Sequence, residues 1–476
     1  MDTQKNFIGG EWVGSRQTLD SVNPSDTSDL LGSFAQADAQ QVRDAVAAAR
    51  AAQPGWAGAT TQLRSDVLQR AAQTLSARRE EIGQLVSREA GKTRAEGIGE
   101  VVRASQVFGF FAGEAVRYGG ENLPSVRPHI GVQTSREALG VVGLITPWNF
   151  PIAIAAWKIA PALAFGNALV LKPSEETPAV AAELFRVLQH SGVPAGVANL
   201  VHGSGAVAGA ALADGVDALS FTGSVATGHK VAQAAVPRLL RVQLEMGGKN
   251  PFVVLDDADL DVAVECALNG AFFSAGQRCT ASSRLIVTAG IHDRFVAALR
   301  DRMRKLHVGH ALADGTDIGP VINQRQLDKV REYIAIGQQE GARLCEGGEV
   351  LERPTRGFFL SPALFVDTHN AMRINREEVF GPFATVQQAR DYDEALHLAN
   401  DTDFGLSAGI CTQSHRHATH FRLNAKSGLV MVNLPTAGLD YHVPFGGTKG
   451  SSHGPREQGS YAVDFYTTTK TAYIGH

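Results

Sequence analysis

Between residues 37 and 118, apolar residues recur at helical spacing. Val42, Ala45, Val46 and Ala49 share one face, as do Leu68, Ala71, Ala72 and Leu75, and then Ile82, Leu85 and Val86. This stretch predicts a run of helices. Beyond it the pattern changes. Short apolar runs at 139–145, 168–171, 197–201 and 217–221 predict buried strands, and 157–165, 178–188 and 226–235 predict helices among them. The Gly192-Val193-Pro194 break closes the second of these helices. A second alternating block runs from Val242 to about Val432. It contains predicted strands at 251–255 and 283–287 and helices at 291–306 and 324–339. Strands alternating with helices predict an α/β protein whose parallel sheets are covered on both faces. Two such lobes are expected, with a boundary near Gly247-Gly248. From 456 to 471 the chain alternates in part, with Tyr461, Val463 and Phe465 apolar. That predicts a strand in need of a pairing partner, with a second subunit as one candidate.

Composition narrows the function classes. The chain has 476 residues, 44% of them hydrophobic, with 44 Lys+Arg against 48 Asp+Glu and a net charge of −4. Such a chain is globular rather than disordered and carries no basic excess for neutralising nucleic-acid phosphates. Its length calls for two or three domains. Glycine, at 50 residues, exceeds the usual share of about 7%, which implies tight turns or close backbone approaches. The start, Met1-Asp2-Thr3-Gln4-Lys5-Asn6, lacks the apolar stretch of a signal peptide. Four irregularly spaced cysteines (266, 279, 345 and 411) suggest no disulfide framework, so a cytoplasmic location is expected. Residues 138–157 are uncharged, but Pro147, Pro151 and the polar Asn149 interrupt them, so no membrane span is expected.

Four segments could carry chemistry. In Gly276-Gln277-Arg278-Cys279, a cysteine sits beside a cation that could favour its thiolate, the form that attacks carbonyl carbon. The competing reading is an inert buried cysteine, which suits Cys266, Cys345 and Cys411 better. In Leu244-Glu245-Met246-Gly247-Gly248, a carboxylate at a strand end could activate water, or could be solvated in a turn. In Thr146-Pro147-Trp148-Asn149, the amide could donate to an oxyanion, or could serve only the turn. Lys172-Pro173-Ser174-Glu175, Gly203-Ser204-Gly205 and Thr222-Gly223-Ser224 follow successive strands, where nucleotides bind in open sheets; none is a full G-x-G-x-x-G fingerprint. Cys411, His415, His417 and His420 lack metal-ligand spacing and read as a solvated helix face, so no metal is expected.

Taken together, TPWNFP (146–151), KPSEETP (172–178), FTGS (221–224), LEMGGKNP (244–251), GQRC (276–279), EEVFGP (377–382) and PFGGTKGSSHGPREQG (444–459) resemble, in order and spacing, the NAD(P)-dependent aldehyde dehydrogenase superfamily. The blocks cover most of the chain. The resemblance implies two open-sheet α/β lobes, a Rossmann-like cofactor lobe and a catalytic lobe, plus a small β oligomerisation arm. It implies a cofactor domain of 1–118 and 139–247, a catalytic domain of 248–444, and an arm of 119–138 and 456–476. Cys279 matches the nucleophile, Glu245 the general base and Asn149 the oxyanion donor. Thr146, Pro147, Trp148, Lys172, Ser174, Glu175, Gly205, Gly223, Ser224, Glu378 and Phe380 match cofactor contacts, and Glu457 a proton-relay position. The implied cofactor is NAD, with NADP the alternative, and the implied assembly a homodimer or homotetramer.

Arg278, CTASSRLIV (279–287) and REQGSYAVDFYTTTKTAY (456–473) further resemble α-ketoglutaric semialdehyde (2,5-dioxopentanoate) dehydrogenases. Arg278 is then a candidate anchor for the keto acid, or a structural arginine pointing away. Succinic semialdehyde dehydrogenases typically carry arginines where this chain has Trp157 and Phe273. Competing expectations are a dehydrogenase for succinic, glutaric or other small aldehydes, a coenzyme A-acylating enzyme, and a non-catalytic binding protein on the same fold.

Overall fold

A computed structural model describes residues 3–475. The helical run predicted near the N-terminus forms as α1 (Ala39–Ala57), α2 (Thr61–Ala77), α3 (Arg79–Ala90) and α4 (Arg94–Arg117). Their starts are chemically defined. The Asp38 carboxylate accepts the Gln41 N–H at the head of α1, and Thr93 and Glu96 form a reciprocal capping box at the head of α4. The apolar stripe of α2 packs on α4. Leu68 and Leu75 are both fully buried there, each contributing about 1.5–3 kcal/mol.

The first sheet has eight strands, in the order Glu11–Val13, Asn6–Ile8, Ala198–Leu200, Ala168–Lys172, Val141–Ile145, Ala218–Thr222, Arg241–Glu245 and Ser452–His453. Its central five strands are parallel and its edges antiparallel. The strands Val141–Ile145 and Ala168–Lys172 are buried at every position, as a sheet covered on both faces requires. Crossovers such as α5 (Ala153–Ala164) supply that cover. Thr146, Lys172, Thr222 and Glu245 all fall at the C-terminal ends of parallel strands, where ligands bind in such sheets.

A second sheet of seven strands runs Arg343–Glu346, Ala363–Val366, Phe383–Ala389, Ser282–Thr288, Asn250–Val254, Ser407–Cys411 and Leu429–Val432, parallel except at its first edge. The expected second block from Val242 therefore starts slightly later. Arg241–Glu245 pairs in parallel with Ala218–Thr222 and completes the first sheet.

The tail departs further from expectation. Tyr461, Val463 and Phe465 lie in a helical turn, not a strand: Ser460–Ala462 is 3-10 and Val463–Tyr466 is α-helical. Phe465 and Tyr466 are both fully buried, so adjacent rather than alternating side chains face the core. The strand begins at Thr467 and finds its partner within the chain. Thr467–Gly475 pairs antiparallel with Ile130–Ala138, which also pairs with Asn122–Pro124. In this three-stranded sheet the tail strand is at the edge.

Candidate active site

Cys279 sits at the end of an unusual loop. Ser274, Ala275 and Gly276 have φ of 55°, 52° and 63°. Two of these are not glycine, and left-handed backbone costs such residues roughly 1–2 kcal/mol each. Tertiary bonds hold the loop. Ser274 Oγ donates to Glu96 Oε1 (2.7 Å), the Gln277 N–H donates to the Ser274 carbonyl (3.0 Å), and the Ile322 N–H donates to Gln277 Oε1 (3.0 Å). Gly276 is needed sterically as well, since a Cβ there would overlap the Gly381 carbonyl. Strain held in place this way is characteristic of functional loops.

The loop presents Cys279 to two cavities, one of about 180 Å³ and one of about 490 Å³. Asn149 lines the smaller. Its Nδ2 donates to the Gln277 carbonyl at 3.0 Å, which fixes the amide plane beside the cysteine and leaves a second N–H available. Opposite stand Glu378 and Phe380, with Trp148 edge-on to Phe380 at 5.4 Å. The Gly248 N–H donates to Glu378 Oε1 at 3.0 Å, and a Cβ at Gly247 would overlap that carboxylate. Pro147, Gly223 and Ser224 line the same cavity. Ser224 Oγ accepts the Thr227 N–H and caps the helix Val225–Ala235, as its sequence position predicts.

A third cavity, of about 560 Å³, is lined by Ser174, Glu175 and Ser204. Lys172 lies beneath its rim. The Lys172 Nζ donates to the Pro173 and Gly203 carbonyls at 2.8 Å each and is 3.5 Å from Glu175 Oε2. Gly205 opens the short helical segment Gly205–Gly209, capped by Ser204, and does not itself line this cavity. Thr146 is buried and its hydroxyl has no protein partner.

These features fit a dinucleotide. A carboxylate–lysine pair stands at one cavity, and an aromatic pair with a second carboxylate stands at the other. The buried Thr222 hydroxyl, on the wall of the smaller cavity, lacks a protein partner, and a helix N-terminus opens there.

Glu245 ends its strand fully buried, with Ser452 Oγ donating to its Oε2 at 2.6 Å. It lines neither of the two cavities at Cys279. Burial pushes its carboxyl up to about 8, and the nearby Glu457 adds to the rise against Ser452, Lys158 and Arg456. Glu457 is also wholly buried. Lys158 Nζ donates to its carboxylate and to Ser220 Oγ (2.6 Å), and Ser220 Oγ donates to Gln243 (2.9 Å). Glu457 lines neither of the two cavities at Cys279.

The expectation that Arg278 favours the Cys279 thiolate is corrected. Burial, and then the charges of Glu378 and Glu245, push the thiol up to about 12. Arg278 is committed to protein. Its Nη1 donates to the Asn269 backbone and side-chain oxygens (3.2 and 3.3 Å), Nε donates to Ser274 Oγ (3.2 Å), and Nη2 is 3.6 Å from Glu96. It nevertheless lines the larger cavity.

Several residues at these cavities belong to none of the motifs above. Gln326 and Lys329 line the smaller, and Lys92, Glu96, Glu100 and Arg103 the larger. The Thr93/Glu96 capping box is legible in the sequence and would have placed the start of α4 near the site; Arg103 offers no such signal. In the rejected histidine cluster, Tyr392 stacks on His417 (4.4 Å) and hydrogen-bonds with His420 Nδ1 (2.7 Å). Among the described residues no helix is long and apolar enough to cross a membrane.

Comparison with known proteins agrees with this geometry. Residues 12–472 match the sequence profile of the Aldehyde dehydrogenase family. The chain is 44% identical to the alpha-ketoglutaric semialdehyde dehydrogenase of Bacillus subtilis, covering 99% of this chain and 98% of that protein. It is 43% identical to the alpha-ketoglutarate semialdehyde dehydrogenase of Haloferax volcanii, covering 99% of each. The crystal structure of betaine aldehyde dehydrogenase from Staphylococcus aureus in complex with NAD+ superposes with a TM-score of 0.97 at 35% identity, covering 99% of this chain and 95% of that one.

Proposed function

The chain belongs to the aldehyde dehydrogenase family, and from that premise we propose that it oxidises α-ketoglutaric semialdehyde to 2-oxoglutarate. It is an NAD(P)-dependent dehydrogenase on the aldehyde dehydrogenase fold. The substrate assignment rests on the end-to-end likeness, at 44% identity, to a relative that bears this substrate's name.

In this reading Cys279 loses its proton and its sulfur bonds to the aldehyde carbon, forming a thiohemiacetal. The free Asn149 N–H and the Cys279 backbone N–H stabilise the oxyanion. When bound, the nicotinamide cofactor supplies the acceptor for the hydride leaving that carbon. The resulting thioester at Cys279 is cleaved by water, from which Glu245 accepts a proton. The acid departs and the cysteine is regenerated. Glu378, Phe380, Thr146, Pro147 and Trp148 would hold the nicotinamide end. Gly223 and Ser224 would hold the pyrophosphate, and Lys172, Ser174, Glu175 and Gly205 the adenosine. Glu175 would accept bonds from ribose hydroxyls and repel a 2′-phosphate, favouring NAD over NADP. Glu457, through Lys158, would relay protons from Glu245. With Glu245 present, water rather than coenzyme A is the acyl acceptor.

The same reading divides the chain into a cofactor domain (1–118 and 139–247), a catalytic domain (248–444) and an arm (119–138 and 456–476). The arm's edge strand exposes Tyr473 and Ile474, which supports a homodimer or homotetramer. A cytoplasmic location accords with four unpaired cysteines.

The test is an aldehyde panel run with NAD and NADP in parallel. The expected result is the highest kcat/KM for α-ketoglutaric semialdehyde with NAD. Equal values for succinic, glutaric and uncharged aldehydes would overturn the substrate assignment, and equal efficiency with NADP would show that Glu175 swings aside. Product formation requiring coenzyme A would overturn the hydrolytic route. Asn149→Ala is expected to lower kcat about 100-fold, as removal of one oxyanion donor does. Steady-state kinetics on the preferred aldehyde checks this.

A further inference from the structure

The larger cavity at Cys279 carries an unbalanced charge. Three cations, Lys92, Arg103 and Arg278, face two anions, Glu96 and Glu100. Lys92 and Glu100 form a buried pair at 2.5 Å, and Glu100 Oε1 also accepts the Ile152 and Ala153 N–H groups. Arg278 is held by Asn269, Ser274 and Glu96. Arg103 alone is left over. Among the described residues its guanidinium makes no hydrogen bond and no ion pair. The carboxylate whose charge bears on it is that of Asp440, an exposed residue outside the cavity lining.

The surroundings favour a ligand for this cation. Arg103 lies on α4, three residues after Glu100 and four after Gly99, so all three share one helix face. A Cβ at Gly99 would meet nothing within 4 Å, which leaves open space one turn from the guanidinium. Part of the lining is apolar, with Trp157 stacked on Phe445 at 5.2 Å. A guanidinium whose neighbours' charges already cancel, in a cavity ending at the nucleophile, presents a planar fork suited to a carboxylate.

We propose that Arg103, and not Arg278, anchors the substrate's carboxylate and selects aldehydes with an anionic far end. This rests on the semialdehyde reading above and deepens it. The same surplus charge would repel a cationic aldehyde.

The test compares kcat/KM for α-ketoglutaric semialdehyde with that for pentanal, an uncharged aldehyde of equal chain length, in the wild type, Arg103→Met, Arg103→Lys and Arg278→Met. In Arg103→Met the ratio is expected to fall about 100-fold, mostly through KM, as loss of one partner of a desolvated charge pair implies. Arg103→Lys keeps the charge but not the fork, and is expected to lose about 10-fold. Because the ratio is internal to each variant, a smaller folded fraction cancels, and Arg103→Lys reads the same ratio if Arg103→Met is insoluble. An unchanged ratio in both Arg103 variants, or a loss confined to Arg278→Met, would overturn the proposal and leave the substrate assignment standing. A wild type that does not prefer the acid aldehyde to pentanal would overturn the substrate assignment itself.

Discussion

Replacing Cys279 with Ala is expected to remove aldehyde-dependent NADH formation, lowering kcat by at least about 10⁴-fold, the scale seen when a covalent nucleophile is deleted. The site offers no substitute. Cys266 and Cys411 are buried in the second lobe's core, and Cys345 lies on the strand Arg343–Glu346 at the far edge of that sheet. Cofactor binding need not fall with activity, because Cys279 is only one of the residues lining the smaller cavity. Measuring NADH production and NAD binding on the same variant separates the two. Normal turnover in Cys279→Ala would reject the thioester route outright.

Glu245→Gln is expected to split the reaction in time. The cysteine can still be acylated, so a first turnover of NADH should remain, while thioester hydrolysis and steady-state kcat fall by about 1,000-fold for want of a general base. Rapid mixing of enzyme with aldehyde and cofactor would show a burst followed by a slow phase. A variant with an unaltered steady state would remove Glu245 from the mechanism. The pH dependence follows from burial. Only the carboxylate form accepts a proton, and the Glu245 carboxyl is raised to about 8. Wild-type kcat should therefore climb as pH rises through about 8. The Gln side chain cannot titrate, so this limb should vanish from the variant's profile.

How much of this was legible beforehand depended on where each residue's environment comes from. Glu245, Lys172 and Gly223 lie at strand ends, and the order of strands along the chain already implies that those ends gather in one sheet. The covered strands announced themselves through unbroken apolar runs. Arg103 belongs to the other kind. On α4 it reads as an ordinary helix arginine, and that it is the cation left over shows only once Asn269 and Glu96 are seen to hold Arg278. The backbone of Ser274 and Ala275 was equally hidden, since neither residue type signals left-handed conformation. In the tail, local alternation misled because burial of the adjacent Phe465 and Tyr466 favours a helical turn over a strand.

Ser452–His453, at the edge of the first sheet, is synthesised after every residue of the second lobe's sheet. Glu457, which answers the charge of the buried Lys158, emerges later still. A nascent chain still held by the ribosome at residue 440 would therefore have made both sheets' central strands, yet would lack Glu245's hydrogen-bond donor and Lys158's counter-ion. Domains usually mature in order during translation, N-terminal first. Here the first lobe to be made cannot finish first. Glu245, the proposed base, gains its hydrogen-bond donor only when the end of the chain threads back, so release from the ribosome and completion of its surroundings become nearly the same event.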